Sequence, residues 1–286
     1  MIPAAFDYVR ATSLDQAIAL LKGDVDGNKV VAGGHTLIPT LKLRLAAPGT
    51  LIDIGRLDEL RGIAIGDTIR VGALTRHAEL LASLELNAVL PIFRQAANVI
   101  ADPQVRNRGT IGGSLANADP SADWPAVVIA LGAELELAGP NGRRRVAAKD
   151  FFLDIFTTAL EAGEIIVAIH IPRPKAGSQF RYRKVRHPAS GYAVVGVAVA
   201  VRQHGDAVAD ASIGITGACS HAFLAEAAVR ALIVNKLSPE TIARATALVL
   251  QGRTCLSDQY ASAEYRQHLA MTETTRALQS LSAGQR

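Results

Sequence analysis

Two glycine-rich segments carry the residues whose type and spacing best suit ligand binding. The first covers residues 29–39, where a run of β-type residues leads into Gly33 and Gly34. Glycines at such a turn let several backbone N–H groups point into one concavity, and a following helix adds partial positive charge. The expected ligand is therefore a phosphate. The segment has neither the G-x-G-x-x-G pattern nor the lysine of a P-loop, and a plain strand-to-helix turn is the alternative interpretation.

The second segment covers residues 106–125 and combines glycines, small polar side chains and two carboxylates, Asp119 and Asp123. Long irregular stretches in compact domains usually bind something, so a binding loop is expected here. Three of its side chains are suited to donate to phosphate oxygens: Thr110, Ser114 and Asn117. Asp123 is suited to accept from ribose hydroxyls, as acidic residues do in other dinucleotide sites. Two separated glycine segments suit a ligand with two phosphates, which requires that the segments lie together in the fold.

Composition restricts the class of protein. The chain has 286 residues, of which 49% are hydrophobic and 20% charged, an ordinary balance for one large or two average globular domains. A net charge of +4 is too small to indicate nucleic acid as a partner. The longest apolar run, residues 193–201, is about half the length of a membrane-spanning helix. The N-terminus lacks the pattern of a secretory signal, and a cytoplasmic location without a membrane span is predicted.

The cysteine count limits the redox chemistry of the chain. Only Cys219 and Cys255 are present, which is too few for a disulfide framework. An iron–sulfur cluster needs about four thiolates, so the chain is not expected to hold one by itself. His170, His187, His204 and His221 are scattered without ligand spacing, and no metal site is predicted. Both cysteines are interpreted as buried or incidental thiols.

The elements that must position the two glycine segments are strands and helices in mixed order. Residues 14–21 form an amphipathic helix with Ser13 as N-cap, and further helices are expected at 37–45 and 90–100. Strands are expected at 29–32, 50–54, 68–71 and 164–171, and a hairpin joins 133–138 to 143–146. Within it, Arg143–Arg145 is expected to form an exposed edge.

A proline pair at residues 172–174 marks the best domain boundary in the chain, which we place after Lys175. The second part then contains strands at 180–185, 193–202 and 209–216, followed by helices at 222–234, 238–250 and 261–281. Strands followed by helices predict an α+β domain. The basic stretch at 181–186 is compatible with a solvated edge strand, a charged rim above a ligand or a docking surface.

Both glycine segments resemble known signatures. Ala-Gly-Gly-His-Thr at 32–36 and Thr-Ile-Gly-Gly-Ser-Leu-Ala-Asn-Ala-Asp-Pro at 110–120 closely resemble the FAD-binding motifs of the medium, flavin-carrying subunit of molybdenum hydroxylases. Carbon monoxide, nicotine, ketone and xanthine dehydrogenases belong to that family. The flanking sequences at 6–8, 106–109, 150–152, 157–160 and 261–266 are similar as well, so the resemblance covers essentially the whole chain.

The resemblance implies an α+β fold of two domains. Residues 1–175 would form a FAD-binding domain of the vanillyl-alcohol-oxidase (PCMH) type, itself made of two subdomains. Residues 176–286 would form a smaller α+β domain of the CO dehydrogenase flavoprotein C-terminal type, which closes over the flavin.

The resemblance also implies a set of FAD-binding residues, with no catalytic side chain and no metal ligand among them. They are Val31, Ala32, Gly33, Gly34, His35, Thr36, Leu37, Ile100, Thr110, Gly112, Gly113, Ser114, Asn117, Asp119, Asp123, Leu160, Lys184 and Tyr192. The first seven wrap the diphosphate, Leu160 packs on the isoalloxazine ring and Tyr192 lies close to it. Lys184 approaches the polar edge of the flavin, although a shift of one residue would put Arg183 there.

The implied function is electron transfer in a complex. A large molybdenum-cofactor subunit oxidises the substrate, a small subunit carries two [2Fe–2S] clusters, and FAD passes the electrons to NAD, a quinone or oxygen. Two alternatives come from other classes of protein. One is a self-sufficient FAD-dependent oxidoreductase that acts directly on a small substrate, and the other is a non-redox nucleotide-binding assembly protein.

Overall fold

The computed structural model describes residues 1–25 and 27–282, so residues 283–286 of the second predicted domain lie outside it. The described part up to Pro172 contains ten strands: β1 (Asp7–Arg10), β2 (Asn28–Val31), β3 (Thr50–Asp53), β4 (Ile63–Ala64), β5 (Thr68–Gly72), β6 (Glu134–Gly139), β7 (Gly142–Ala147), β8 (Phe152–Asp154), β9 (Thr157–Thr158) and β10 (Ile165–Pro172). The same part contains a short 3-10 helix (Asp58–Leu60) and nine α-helices: α1 (Leu14–Gly23), α2 (Leu37–Lys42), α3 (His77–Ala82), α4 (Leu84–Val89), α5 (Ile92–Asn98), α6 (Pro103–Arg106), α7 (Ile111–Asn117), α8 (Asp123–Ala130) and α9 (Ala148–Phe151).

Two sheets divide this region into the two expected subdomains. A parallel sheet has the strand order β1-β3-β2, and the end of β2 leads directly into Gly33 and Gly34 of the first glycine segment. An antiparallel sheet has the order β4-β5-β10-β6-β7. The central strand β10 is buried at seven of its eight residues, because strands flank it on both sides and apolar elements cover both of its faces.

The second glycine segment is not the long loop that its composition predicts. It contains α7 and the start of α8, so the expectation of an irregular binding loop is wrong. The Thr110 side chain accepts a hydrogen bond from the Gly113 N–H at 3.1 Å and thereby caps α7. A Cβ on Gly112 would lie 2.5 Å from that of Ala73, so the close packing of α7 on the backbone at Ala73 requires glycine at position 112. Tertiary packing therefore outweighs the low helix propensity of two glycines.

The second region follows the predicted order of strands and then helices. Its elements are β11 (Ser178–Arg186), β12 (Ala193–His204), β13 (Ala207–Thr216), β14 (Phe223–Leu224), α10 (Glu226–Leu232), α11 (Pro239–Thr246) and α12 (Ala263–Ser282). The sheet is antiparallel in the order β11-β12-β13-β14, with the predicted turn at Gly205 and Asp206. An apolar core joins β12 and β13 to the helices. This region is α+β, as predicted.

Helix α8 joins the two regions. All eight of its residues are buried, as expected for a helix that is apolar on every side. A Cβ on Gly214 of β13 would lie 2.1 Å from the Ala126 carbonyl oxygen, so the second sheet packs directly on the α8 backbone. The preceding turn is also fixed, because the Gly217 N–H donates to the Pro120 carbonyl at 2.7 Å and the Ala193 N–H donates to that of Ser121 at 3.1 Å. The second region therefore holds the end of the second glycine segment in place.

Candidate cofactor-binding site

The two glycine segments lie against each other. A Cβ on Gly33 would lie 2.3 Å from the carbonyl oxygen of Arg108 and 3.0 Å from the Cα of Gly109. No side chain fits there, so the two backbones pack directly on each other. Gly34 has a φ of +75°, a left-handed conformation that favours glycine. The juxtaposition required by a ligand with two phosphates is therefore present.

A cavity of about 780 Å³ lies at this junction, within the usual range of ligand sites, about 300–1,000 Å³. Both glycine segments line it, together with residues 160–166 of the first region and residues 190–192 of the second. Of the eighteen predicted binding residues, seventeen line this one cavity. They come from β2, α2, α7, α8 and the turns beside them, and Tyr192 comes from the other side of the domain junction.

Lys184 is the exception. Its side chain is 3% exposed, and its Nζ donates to Asp123 Oδ2 at 2.8 Å and to the Val99 carbonyl at 3.1 Å. It therefore reaches the cavity only through Asp123, which lines it. The neighbouring Arg183 points to α12 instead, where its Nε donates to Glu273 Oε2 at 2.5 Å. β11 is an edge strand, but these two cations are bound to buried carboxylates.

Asp123 is less free than the sequence indicates. In addition to Lys184, it accepts a hydrogen bond from the Tyr182 hydroxyl at 2.5 Å. Burial raises the pKa of the Asp123 carboxyl, and the Lys184 ammonium and the two hydrogen bonds oppose that shift. A carboxylate has about four acceptor positions, so Asp123 can still accept from a ligand hydroxyl. Its main contacts, however, fix the junction between α8 and β11.

Tyr192 crosses the junction from the second region. Burial raises the pKa of its hydroxyl, the negative charge of Asp119 adds to this, and the Thr36 side chain opposes it. Asp119 accepts from the Ser121 N–H at 2.8 Å, and burial raises the pKa of its carboxyl. Tyr192 therefore lines the cavity close to Thr36 of the first glycine segment and Asp119 of the second.

Arg144 supports one wall of the cavity. β7 is an edge strand as predicted, but the Arg144 side chain does not project freely into solvent. Its Nε and Nη2 donate to Glu164 Oε1 and Oε2, each at 2.7 Å, and Nη2 also donates to the Ala159 carbonyl at 2.7 Å. Its hydrogen bond to Glu164 lowers the pKa of that carboxyl. Glu164 and Leu160 line the cavity, so Arg144 holds the segment that carries both.

His77 also lines the cavity, although no motif in the sequence pointed to it. It begins α3 and is 6% exposed, and its Nδ1 accepts from the indole N–H of Trp124 at 3.0 Å. Burial, with smaller contributions from His35 and Arg106, lowers the pKa of the imidazole to about 4. The only local signal is its place at the start of a helix, because its partner is 47 residues away in the chain.

The low pKa of His77 predicts a loss of stability in acid. Unfolded histidine titrates near 6.5, so between about pH 6.5 and 4 the unfolded chain binds a proton that the native imidazole does not. The contribution of His77 to the free energy of unfolding is therefore complete above pH 6.5. It falls by about 3 kcal/mol as the pH falls through that window. Urea unfolding at pH 7 and at pH 4.5 measures this. His77→Gln should show a smaller fall than the wild type, and equal falls would contradict the assignment.

The fold and the site define the class of this protein: two α+β domains enclose a cavity whose glycine-lined wall suits a dinucleotide cofactor. Comparison with known families agrees with this class. Residues 4–174 match the FAD-binding domain in molybdopterin dehydrogenase, and residues 180–281 match the CO dehydrogenase flavoprotein C-terminal domain. The chain belongs to this family of FAD-binding medium subunits, and both the resemblance and the fold class predicted from the sequence are confirmed.

Individual relatives match along almost their whole length. The carbon monoxide dehydrogenase medium chain of Afipia carboxidovorans is 40% identical, with 99% of each chain covered. The 6-hydroxypseudooxynicotine dehydrogenase complex subunit alpha of Paenarthrobacter nicotinovorans is 38% identical, covering 97% of this chain and 95% of the relative. A solved carbon monoxide dehydrogenase from Hydrogenophaga pseudoflava, lacking the Mo-pyranopterin moiety, superposes with a TM-score of 0.96 at 41% identity and covers 99% of both chains. Within residues 1–25 and 27–282, no helix is long and apolar enough to cross a membrane.

The cofactor of the family is FAD, and the cavity suits it. At Gly113 a Cβ would meet only the Thr110 Oγ1, at 2.9 Å, so this part of the backbone is open to a ligand. The glycine walls suit a diphosphate, because backbone approaches an anion most closely where no Cβ intervenes. Ile100 and Leu160 add apolar surface suited to a ring system. Polar backbone beside apolar side chains matches the two kinds of surface that FAD presents.

Proposed function

We propose that this chain is the electron-carrying subunit of a molybdenum hydroxylase complex, with a large molybdenum-cofactor subunit and a small [2Fe–2S] subunit as its partners. FAD, when bound, supplies the redox chemistry that links the clusters to an external acceptor, which is NAD, a quinone or oxygen. The chain itself binds and orients the cofactor and keeps water away from it. In this proposal, substrate oxidation takes place in another subunit.

The observation that carries the proposal is the direct contact of the two glycine segments at Gly33 and Arg108, with one cavity beside them. We assign residues 31–37 and the start of α7 to the diphosphate. Leu160 packs on the ring, and Tyr192 covers it from the second domain. Asp123 receives a ligand hydroxyl and is positioned by Lys184. The eighteen predicted binding residues, with Lys184 acting through Asp123, form this assignment.

The need for partners has two supports. The chain has two cysteines, and neither lines the cavity, whereas one iron–sulfur cluster needs about four thiolates. In this proposal, the clusters that carry electrons from the molybdenum cofactor to FAD must therefore lie in a different chain. The relatives are also named as medium chains or as subunits of complexes. The division of the chain after Lys175 and the cytoplasmic location remain predictions.

The test is purification of the tagged chain from cells that express the neighbouring genes. We expect a yellow-brown preparation whose flavin absorption accompanies this chain and whose iron and molybdenum accompany two others. Reduction of the flavin should depend on the cluster-carrying chain. Turnover of a substrate by this chain alone would support the self-sufficient oxidoreductase instead. A colourless complex that takes up no FAD would overturn the flavin assignment and favour an assembly protein.

A further inference from the structure

The His77 imidazole lies directly against the second glycine segment. The backbone N–H of His77 donates to the Gly109 carbonyl at 3.0 Å, which fixes the start of α3 beside that segment. A Cβ on Gly109 would lie 2.7 Å from His77 Nε2, so the imidazole occupies the space that a side chain at position 109 would need. His77 lines the cavity although it is only 6% exposed. The ring is therefore part of the buried wall beside the glycine backbone.

Trp124 determines which ring nitrogen carries the hydrogen. An indole N–H can only donate, and it donates to His77 Nδ1 at 3.0 Å, so Nδ1 carries no hydrogen. The single hydrogen of a neutral imidazole must then be on Nε2. Trp124 is fully buried in α8, which prevents the two rings from exchanging partners with water. Among the described residues, none accepts a hydrogen bond from Nε2.

The surroundings of this N–H favour an anionic acceptor. The ionisable groups that act on the imidazole are His35, on the first glycine segment, and Arg106, at the start of the second. Both are basic. Arg106 Nη1 is bound to the carbonyls of Ile100 and Ala101, at 2.8 and 3.1 Å, so its positive charge stays close by. A donor that is uncharged, fixed in direction and placed near positive charge suits an oxygen that only accepts.

We propose that His77 is a binding residue of this cavity, whose Nε2–H, directed by Trp124, donates to an oxygen of the FAD diphosphate. The inference rests on the flavin site proposed above. It adds an imidazole donor to a wall of backbone N–H groups and small polar side chains. Trp124 acts here as a positioning residue, because it donates to the imidazole and does not itself line the cavity.

The test measures binding of FAD, ADP and riboflavin to flavin-depleted protein, purified with its accompanying subunits. His77→Phe should weaken FAD and ADP about 10- to 100-fold, the usual effect of losing one hydrogen bond to a charged acceptor, and should leave riboflavin unchanged. His77→Gln, which keeps an N–H donor, should recover most of the affinity. Nitrogen-15 NMR of the wild type should show a bare Nδ1, and Trp124→Phe should lose that preference.

The outcomes separate this inference from the proposed function. If the wild type binds neither FAD nor ADP, the flavin site itself is wrong. If the wild type binds both and His77→Phe binds them equally well, only the role of His77 is wrong. An equal loss for riboflavin in His77→Phe would mean a general disturbance of the cavity and would also overturn the inference. A protonated Nδ1 in the wild type would contradict the direction assigned to the donor.

Discussion

Gly113→Val is expected to give a folded protein that retains no flavin. A Cβ at this position meets only the Thr110 Oγ1, at 2.9 Å, and no atom of the core. The substitution therefore disturbs at most the Thr110 N-cap of α7, which lowers the free energy of unfolding by about 1 kcal/mol. The remaining methyl groups occupy cavity space beside the backbone that we assign to the diphosphate. Flavin-to-protein ratio by visible absorption and helix content by circular dichroism measure the two effects separately.

Gly112 gives a control in which the substitution should lower stability, whereas Gly113→Val should block flavin binding. A Cβ on Gly112 would lie 2.5 Å from the Cβ and 2.8 Å from the carbonyl oxygen of Ala73, so Gly112→Ala should lower stability by about 1–3 kcal/mol or more. Gly23→Val, at the end of α1 with no atom within 4 Å, should change neither property. Arg144→Ala is not a neutral control, because Arg144 holds the Leu160 segment. Normal flavin content in Gly113→Val would contradict the assignment of α7 to the site.

Lys184→Met should lower the free energy of unfolding by about 3–5 kcal/mol, the usual cost of leaving one charge of a buried pair without its partner. The two side chains are 3% and 5% exposed, and their atoms are 2.8 Å apart. The pair also joins α8 of the first region to β11 of the second, so its loss should loosen the domain junction. Trp124, the only tryptophan in the chain, follows Asp123 directly and reports unfolding there by fluorescence.

A matched surface pair controls for the loss of a lysine. Lys236 and Asp206 are 2.9 Å apart but 69% and 79% exposed, so Lys236→Met should cost less than about 1 kcal/mol. Combining Lys184→Met with Asp123→Asn should recover part of the stability, because no buried charge is then left alone. A loss in Lys184→Met no larger than that in Lys236→Met would show that the buried pair contributes little.

Much of the fold was predictable because its signals are local. The hairpin at Gly139 and Gly142 and the turn at Gly205 need only adjacent residues to set the backbone angles. Ser238 caps α11 with its own hydroxyl, which accepts from the Thr241 N–H at 3.3 Å. Each of these features depends on residues a few positions apart, so a single sequence is enough to find it.

Other features could not be found in this way. Residues 111–117 look like a loop by propensity and form a helix because Gly112 packs on Ala73. The partners Arg144–Glu164, His77–Trp124 and Lys184–Asp123 are separated by 20, 47 and 61 residues, and no local pattern links them. Their pairing depends on how the sheets and α8 pack, which only the whole chain determines.

The sequence by itself determined where backbone can approach a phosphate, because a missing side chain is a property of one residue. It thereby identified both glycine segments and the family. The tertiary structure decided how those segments meet, that the Asp123 carboxylate is paired with Lys184, and that the His77 imidazole carries its hydrogen on Nε2. These are contacts between distant parts of the chain, and their energies depend on burial and direction, which are established only when the two domains pack together.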